Sequence, residues 1–326
     1  MKNEKQSILS VMAAESFNDL AISKFMRLLK GDMREAVKLM SCVQARYLVD
    51  MYYQLQKIRI ATNAQVRSLE ENSEPADIMR FTAVSFEALE NILRGALGDF
   101  ASEYRVGAWM QSICGIGPVL SAGFLATFDI RNRKTASSWW RFAGLDPTME
   151  SKKGQKRPFN ARAKVLCYKL GECFVKVQNN DADIYGKLYA MKKLADIENN
   201  AQGLYAGQAA AKLERFKIGK NTDAYKAYSD GKLPPAHLHA RARRYVAKIF
   251  LSHLHDVSWV DYYGSSPPVP FVFSDKFNGG VHQHFIAPQP IEGFSGKSLR
   301  ELYPEDEPIT PKETEHSSAA LNEKEL

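Results

Sequence analysis

The residues best suited to chemistry in this chain are two glycines flanking one apolar residue and followed by proline: Gly115, Ile116, Gly117 and Pro118. Trp109 and Ile113 stand one turn apart before them and predict the end of a short helix. Pro118 predicts the first position of a second helix, where its missing N–H costs nothing. Glycine permits backbone angles that a side chain forbids and lets another backbone approach. Ile116 would pin the turn between the two helices. The second helix would then aim free N–H groups and its positive dipole end outward, where a phosphate can accept them. Ser121, on that helix's first turn, adds a hydroxyl. Contacts of this kind position a protein on a polyanion without reading sequence. A glycine turn between helices is as often purely structural, so the surrounding charge must decide.

That charge is positive. The chain carries a net +7, and the segment from Glu301 onward alone carries −6, which leaves +13 for the part before it. A basic body with an acidic end implies a polyanionic partner or a surface tuned for solubility. Arg162, Lys169 and Lys176 recur every seven residues and so share one face of a helix. Arg241, Arg244 and Lys248 share another, together with His237 and His255. Both stripes read as a track for nucleic-acid backbone, and alternatively as solvated helix faces. Six of the seven histidines form His-x-His pairs (His237/His239, His253/His255, His282/His284). On a helix such a pair points its rings to nearly opposite sides, which argues against a metal site, and no cofactor is expected.

The elements that must hold these residues read as mainly α: a helical bundle with the glycine turn embedded in it. Met33, Val37, Met40, Tyr47, Met51, Leu55 and Ile58 define one face of a long helix, a bundle core or a coiled coil. Ser73, Glu74 and Pro75 predict a stop and restart, with Ser73 as cap. The next helix runs to Tyr104 with Phe81, Phe86, Leu89, Ile92, Leu93 and Leu97 inward. After the turn region, Asn179 to Asp183 breaks the pattern, Ile184 to Lys217 is helical, and Pro234-Pro235 opens a strong helix to about Val260. Short β-like runs around Gly279-Gly280 predict a hairpin, and the chain from Ala287 reads as a disordered acidic tail. The divisions are 1–105 (helical or coiled-coil), 106–180 (turn region), 181–263 (helical extension), 264–290 (irregular or hairpin) and 291–326 (tail). No window is apolar enough to span a membrane. Four scattered cysteines without CxxC spacing, and no signal peptide, predict a reduced cytoplasmic protein.

The run from Trp109 to Leu125 resembles the helix–hairpin–helix of DNA repair and recombination proteins, with Ser121 where those motifs carry Ala. Beyond it come Phe128-Asp129-Ile130, then Ala143-Gly144-Leu145-Asp146-Pro147, then Ser151-Lys152-Lys153-Gly154-Gln155-Lys156-Arg157 and a basic helix. This order, over Val106 to about Gln178, resembles the C-terminal domain of bridge-RNA-guided insertion-sequence transposases, the IS-one-ten family. Val49 to Gln56 and Pro235 to Arg244 resemble segments of transposase-like proteins from plasmids and phages. The resemblance implies DNA as partner and a guide RNA beside it; self-association through the N-terminal helices is expected from the long apolar face that begins at Met33. It also implies Ser151 as a nucleophile for strand transfer, with Lys152, Lys153, Lys156 and Arg157 neutralising phosphate charge. The alternative is a basic loop that only grips phosphate, since no general base is evident. Members of that family carry a RuvC-like carboxylate domain ahead of this one. Here the first hundred residues read as helices, with Glu15, Asp19, Glu35 and Asp50 as solvated helix charges, so a metal-dependent nuclease is not expected. A helical interaction scaffold without affinity for DNA is the remaining alternative.

Overall fold

The computed structural model describes residues 36–37, 39–149, 154–268 and 290–305. Among them are eleven helices and no strand; the one β-type contact is an isolated bridge between Tyr104 and Lys297. The predicted hairpin around Gly279-Gly280, with His282 and His284, lies outside the described residues, as do residues 306–326.

Helix α1 (Cys42–Glu71) starts where Ser41 and Gln44 form a reciprocal capping box, each side chain accepting from the other's backbone N–H. Its inward face is Ala45, Val49 and Tyr52, continued by Thr62 and Val66. The face expected from periodicity holds at Val37, Met40 and Leu55, which pack into the main core, and is corrected at Tyr47, Met51 and Ile58, which point outward, 58%, 48% and 46% exposed. The small Ala45 and Val49 win the core position because a neighbouring helix comes close there. A Cβ on Gly123 would sit 3.6 Å from Val49 and 2.8 Å from Leu166. The turn to α2 (Asp77–Ser102) runs through Ser73 at φ +59, so Ser73 shapes the turn and does not cap the helix, whose N-cap is Ala76. Leu93 and Leu97 face inward as expected, whereas Phe81 and Leu89 are exposed.

Helices α3 (Arg105–Ser112) and α4 (Pro118–Thr127) flank the glycine turn. Thr135 caps α5 (Ala136–Phe142) and Asn160 caps α6 (Ala161–Val177) through their side-chain oxygens. Then come α7 (Tyr185–Ala201), α8 (Ala206–Arg215) and α9 (Asp223–Ser229). Pro235 opens α10 (Pro235–Tyr263), and Gly264, in the left-handed region at φ +68, closes it.

Helix α10 is the axis of the fold, packing on α3, α5, α6 and α7. Its Phe250 meets Trp109, Phe124, Phe174 and Tyr185 in one aromatic cluster. One continuous core includes Val49, Leu97, Trp109, Leu166, Tyr185, Phe250 and Tyr303, so the divisions drawn at 105 and 180 do not separate cores. A small satellite core of Tyr205, Ala209, Leu233 and Leu238 holds α8 against the start of α10.

The tail reading is corrected for its first part. Residues 290–305 dock on the body through a 3-10 turn (Ile291–Gly293) and α11 (Leu299–Leu302). Ile291, Leu299, Leu302 and Tyr303 are buried in the main core, and the Leu299 N–H donates to the Asp261 carboxylate at 2.6 Å. These apolar side chains sit among many acids and prolines, and average composition hid them. No described helix is long and apolar enough to cross a membrane.

Candidate nucleic-acid interface

The two glycines of the turn do different work. Gly115 takes φ +92, and a Cβ there would stand 3.1 Å from Val177 and 3.4 Å from Phe174. Both its angle and its contact with the end of α6 exclude a side chain. Gly117 has ordinary extended angles, is exposed, and has no neighbouring atom within 4 Å of a would-be Cβ. Nothing in the fold demands glycine at this position; its open face is the property that remains. Ile116 is buried and pins the turn as expected, and its N–H donates to the Ile113 carbonyl at 3.0 Å. Pro118 is the first residue of α4, and no side chain caps the free N–H groups of the turn that follows.

Ser121 does not join this surface. It is wholly buried, and its hydroxyl donates to the carbonyls of Gly117 and Pro118 at 3.2 and 3.0 Å. Its assignment as a phosphate contact is corrected: the hydroxyl bonds back to its own helix because α4 is enclosed by α1, α2 and α6.

The basic face of α6 is mostly engaged internally. Arg162 pairs with Asp50 of α1 at 2.9 Å and lies over the ring of Tyr47. Burial raises the Asp50 carboxyl pKa, and Arg162 opposes that rise. Lys169 lies 4.3 Å from the ring centre of Tyr53. Burial, reinforced by Lys176, pulls the Lys169 ammonium below its usual pKa. Lys169 and Lys176 both lower the pKa of the Cys173 thiol against the rise that burial causes. Lys156 and Arg157 are exposed in the segment before α6. Ser151, Lys152 and Lys153 lie outside the described residues.

The face of α10 looks elsewhere, toward α8 and the segment after α5. Arg241 is the anchored member. It lies 3.5 Å from Asp196, donates to Gln208 at 3.1 Å and covers the Tyr205 ring. Asp196 is sealed from solvent and also takes bonds from Lys192 at 2.8 Å and Tyr205 at 2.6 Å. Burial would raise its pKa, but those donors and the two cations outweigh burial and hold it low. Arg244 is exposed, with no carboxylate paired to it among the described residues; crowding by the surrounding protein, Arg241 and Arg243 lowers its pKa. Lys248 sits over Trp140, and burial, aided by Arg244 and Arg241, lowers its pKa against the pull of Asp146. The two stripes therefore occupy different packing environments and do not make one continuous track. Arg243, between them, is spent on Glu172 and the Tyr168 ring.

Three α10 histidines each meet a tyrosine hydroxyl through Nδ1: His237 with Tyr228 at 3.1 Å, His239 with Tyr189 and His253 with Tyr185, both at 2.7 Å. These bonds engage His237, His239 and His253, while the buried His255 packs its ring against Trp139 and Trp259. No cluster of three or more metal-ligating side chains occurs among the described residues. Sequence reading missed Lys212 and Arg215 on α8. They stand one turn from each other; burial, with Arg215 and Arg244, lowers the Lys212 pKa, and burial, with Lys212, Arg244 and Arg241, lowers that of His237. Their proximity to α10 depends on the Tyr205–Leu238 satellite core, which no local pattern announces.

No family model, curated protein or solved structure matches this chain.

Proposed function

We propose that this protein binds DNA through its backbone, in the manner of a transposase-type protein of a mobile element, using the glycine turn and the cationic surfaces of α8 and α10. The observation that carries the reading is Gly117. It is an exposed, sterically open glycine at the uncapped N-terminus of a buried helix. A helix N-terminus so placed favours an anion by geometry and by its dipole. The excess of cations over carboxylates around Arg244 and Lys212 supports the same ligand class. Binding should be insensitive to sequence, because amides and cations at these positions meet phosphate and not base edges. The test is titration of labelled duplexes of unrelated sequence at several salt concentrations. Similar affinities that fall steeply with salt support the reading; no affinity at low salt sinks it.

The resemblance to guided transposases adds strand transfer through Ser151 and a guide RNA as partner. A covalent protein–DNA adduct lost in Ser151→Ala, with binding intact, would establish the enzyme; no adduct from the wild-type protein would leave binding as the function. A second copy of the chain is the partner favoured for the outer face of α1. Tyr47, Met51, Ile58 and Ala61 recur there at coiled-coil spacing, and the larger three are about half exposed. Met51→Glu with Ile58→Glu should dissociate such a dimer in sedimentation experiments; an unchanged mass would remove this partner.

A further inference from the structure

His237 stands at the meeting of three elements. Its own helix supplies Arg241 and Arg244, one and two turns further along the same face. Helix α8 supplies Lys212, one turn on from Gln208, which accepts from Arg241 at 3.1 Å, and α9 supplies Tyr228. Tyr228 holds Nδ1 at 3.1 Å, with the two rings meeting edge to face at 69°. Nε2 has no protein partner among the described residues and is not sealed inside. Among the described residues no carboxylate is paired with His237, Arg244 or Lys212. In this corner Asp196 is a buried acid already shared among Lys192, Tyr205 and Arg241.

We propose that Lys212, Arg244 and the Nε2–H of His237, backed by Arg241, form a subsite for one phosphate group of a nucleic-acid backbone, and that filling it draws a proton onto His237. The proposal rests on the DNA-binding reading and assigns it a place and a proton. The physics is that of an uncompensated charge cluster. With the subsite empty, burial and the nearby Lys212, Arg244 and Arg241 hold the imidazole neutral and pull its pKa to about 4. A phosphate anion cancels the field of those cations and favours a charged imidazole beside it. Tyr228 suits both states. Its hydroxyl donates to Nδ1 when the ring is neutral and accepts from Nδ1–H when the ring is charged, so protonation breaks no hydrogen bond. The neutral form already offers Nε2–H to the anion, and the charged form offers a stronger bond.

The sign follows from linkage. Ligand binding raises the histidine pKa, so affinity must rise as pH falls through the bound-state value. If the bound value returns near the ordinary histidine range, affinity for a duplex rises about tenfold or more between roughly pH 7 and pH 5. The test uses the full chain with labelled histidine and follows the imidazole C2–H by NMR across pH, alone, with inorganic phosphate, and with a short DNA duplex. His237→Gln identifies the signal. The expected result is an upward shift of the His237 midpoint by a unit or more with duplex bound. Inorganic phosphate alone should reproduce part of that shift. The Lys212→Ala/Arg244→Ala double variant should keep the fold, lose the upward shift and bind duplex with a salt slope lower by about one to two. His237→Gln should flatten the pH dependence of affinity. A duplex that binds while the His237 midpoint stays where it was overturns the subsite and leaves DNA binding standing. Failure of the wild-type chain to bind any duplex overturns both.

Discussion

Replacing Gly117 with valine separates a glycine kept for the fold from one kept for a ligand. The backbone there has φ −97 and ψ 180, angles any residue adopts, and the space over it is empty for 4 Å. Valine is a poor N-cap, which costs up to about 1 kcal/mol relative to glycine. Reduced freedom of the unfolded chain returns about 0.4–1 kcal/mol. The two nearly cancel, so the midpoint of thermal unfolding should move by no more than about 4 °C. The side chain would nevertheless stand over the free N–H groups of α4 and keep a phosphate away. Each charge-assisted hydrogen bond lost is worth about 1.5–3 kcal/mol. One such bond corresponds to roughly a 10- to 100-fold loss of affinity, equal on all DNA sequences. Fluorescence anisotropy on duplexes of unrelated sequence measures it. Gly115→Val is the contrasting control: its φ of +92 and its contact with Val177 make it costly to the fold itself, by about 1–3 kcal/mol of strain before the clash is counted. A folded Gly117→Val protein that binds DNA as tightly as wild type would refute the phosphate-binding turn.

Arg241→Ala should lower both stability and affinity, because it leaves Asp196 buried with less compensation; a loss of about 1–3 kcal/mol in urea unfolding is expected. Arg244→Ala should leave unfolding unchanged and reduce the salt slope of DNA binding by about one, as read from titrations at graded salt. Asp196 has a depressed pKa in the folded chain. Its contribution is therefore present above the ordinary carboxylate range and is lost as pH falls through the folded value, and Asp196→Asn should abolish that part of the acid sensitivity in pH-dependent unfolding. Ser121→Ala should leave DNA affinity untouched, since the hydroxyl bonds only its own helix, and an affinity loss in a folded Ser121→Ala protein would contradict that placement.

The helices were legible where local chemistry sets their ends. Pro118 and Pro235 open helices, and the Trp109–Ile113 step marks the end of the one before the turn. Which face is buried was less legible. In α1 a stripe with larger apolar residues lost to Ala45 and Val49, because the close approach of α4 at Gly123 rewards small side chains and that approach is a tertiary fact. The tail misled through composition: acids and prolines around Ile291, Leu299, Leu302 and Tyr303 conceal four apolar anchors that dock on α10 and its neighbours. At the candidate site, spacing found Arg241, Arg244 and Lys248. It could not tell that Arg241 is tied to Asp196, that Arg162 is tied to Asp50, or that Lys212 arrives from another helix. Pairing across elements depends on packing, and helical periodicity carries no record of it.

The measurement closest to the central claim is the dependence of duplex affinity on salt for the intact protein. An account built on amides and cations gripping phosphate predicts tight binding at low salt and a linear fall of log K with log salt, at a slope of about −0.9 per phosphate engaged. A flat response, or no binding even at low salt, would contradict it.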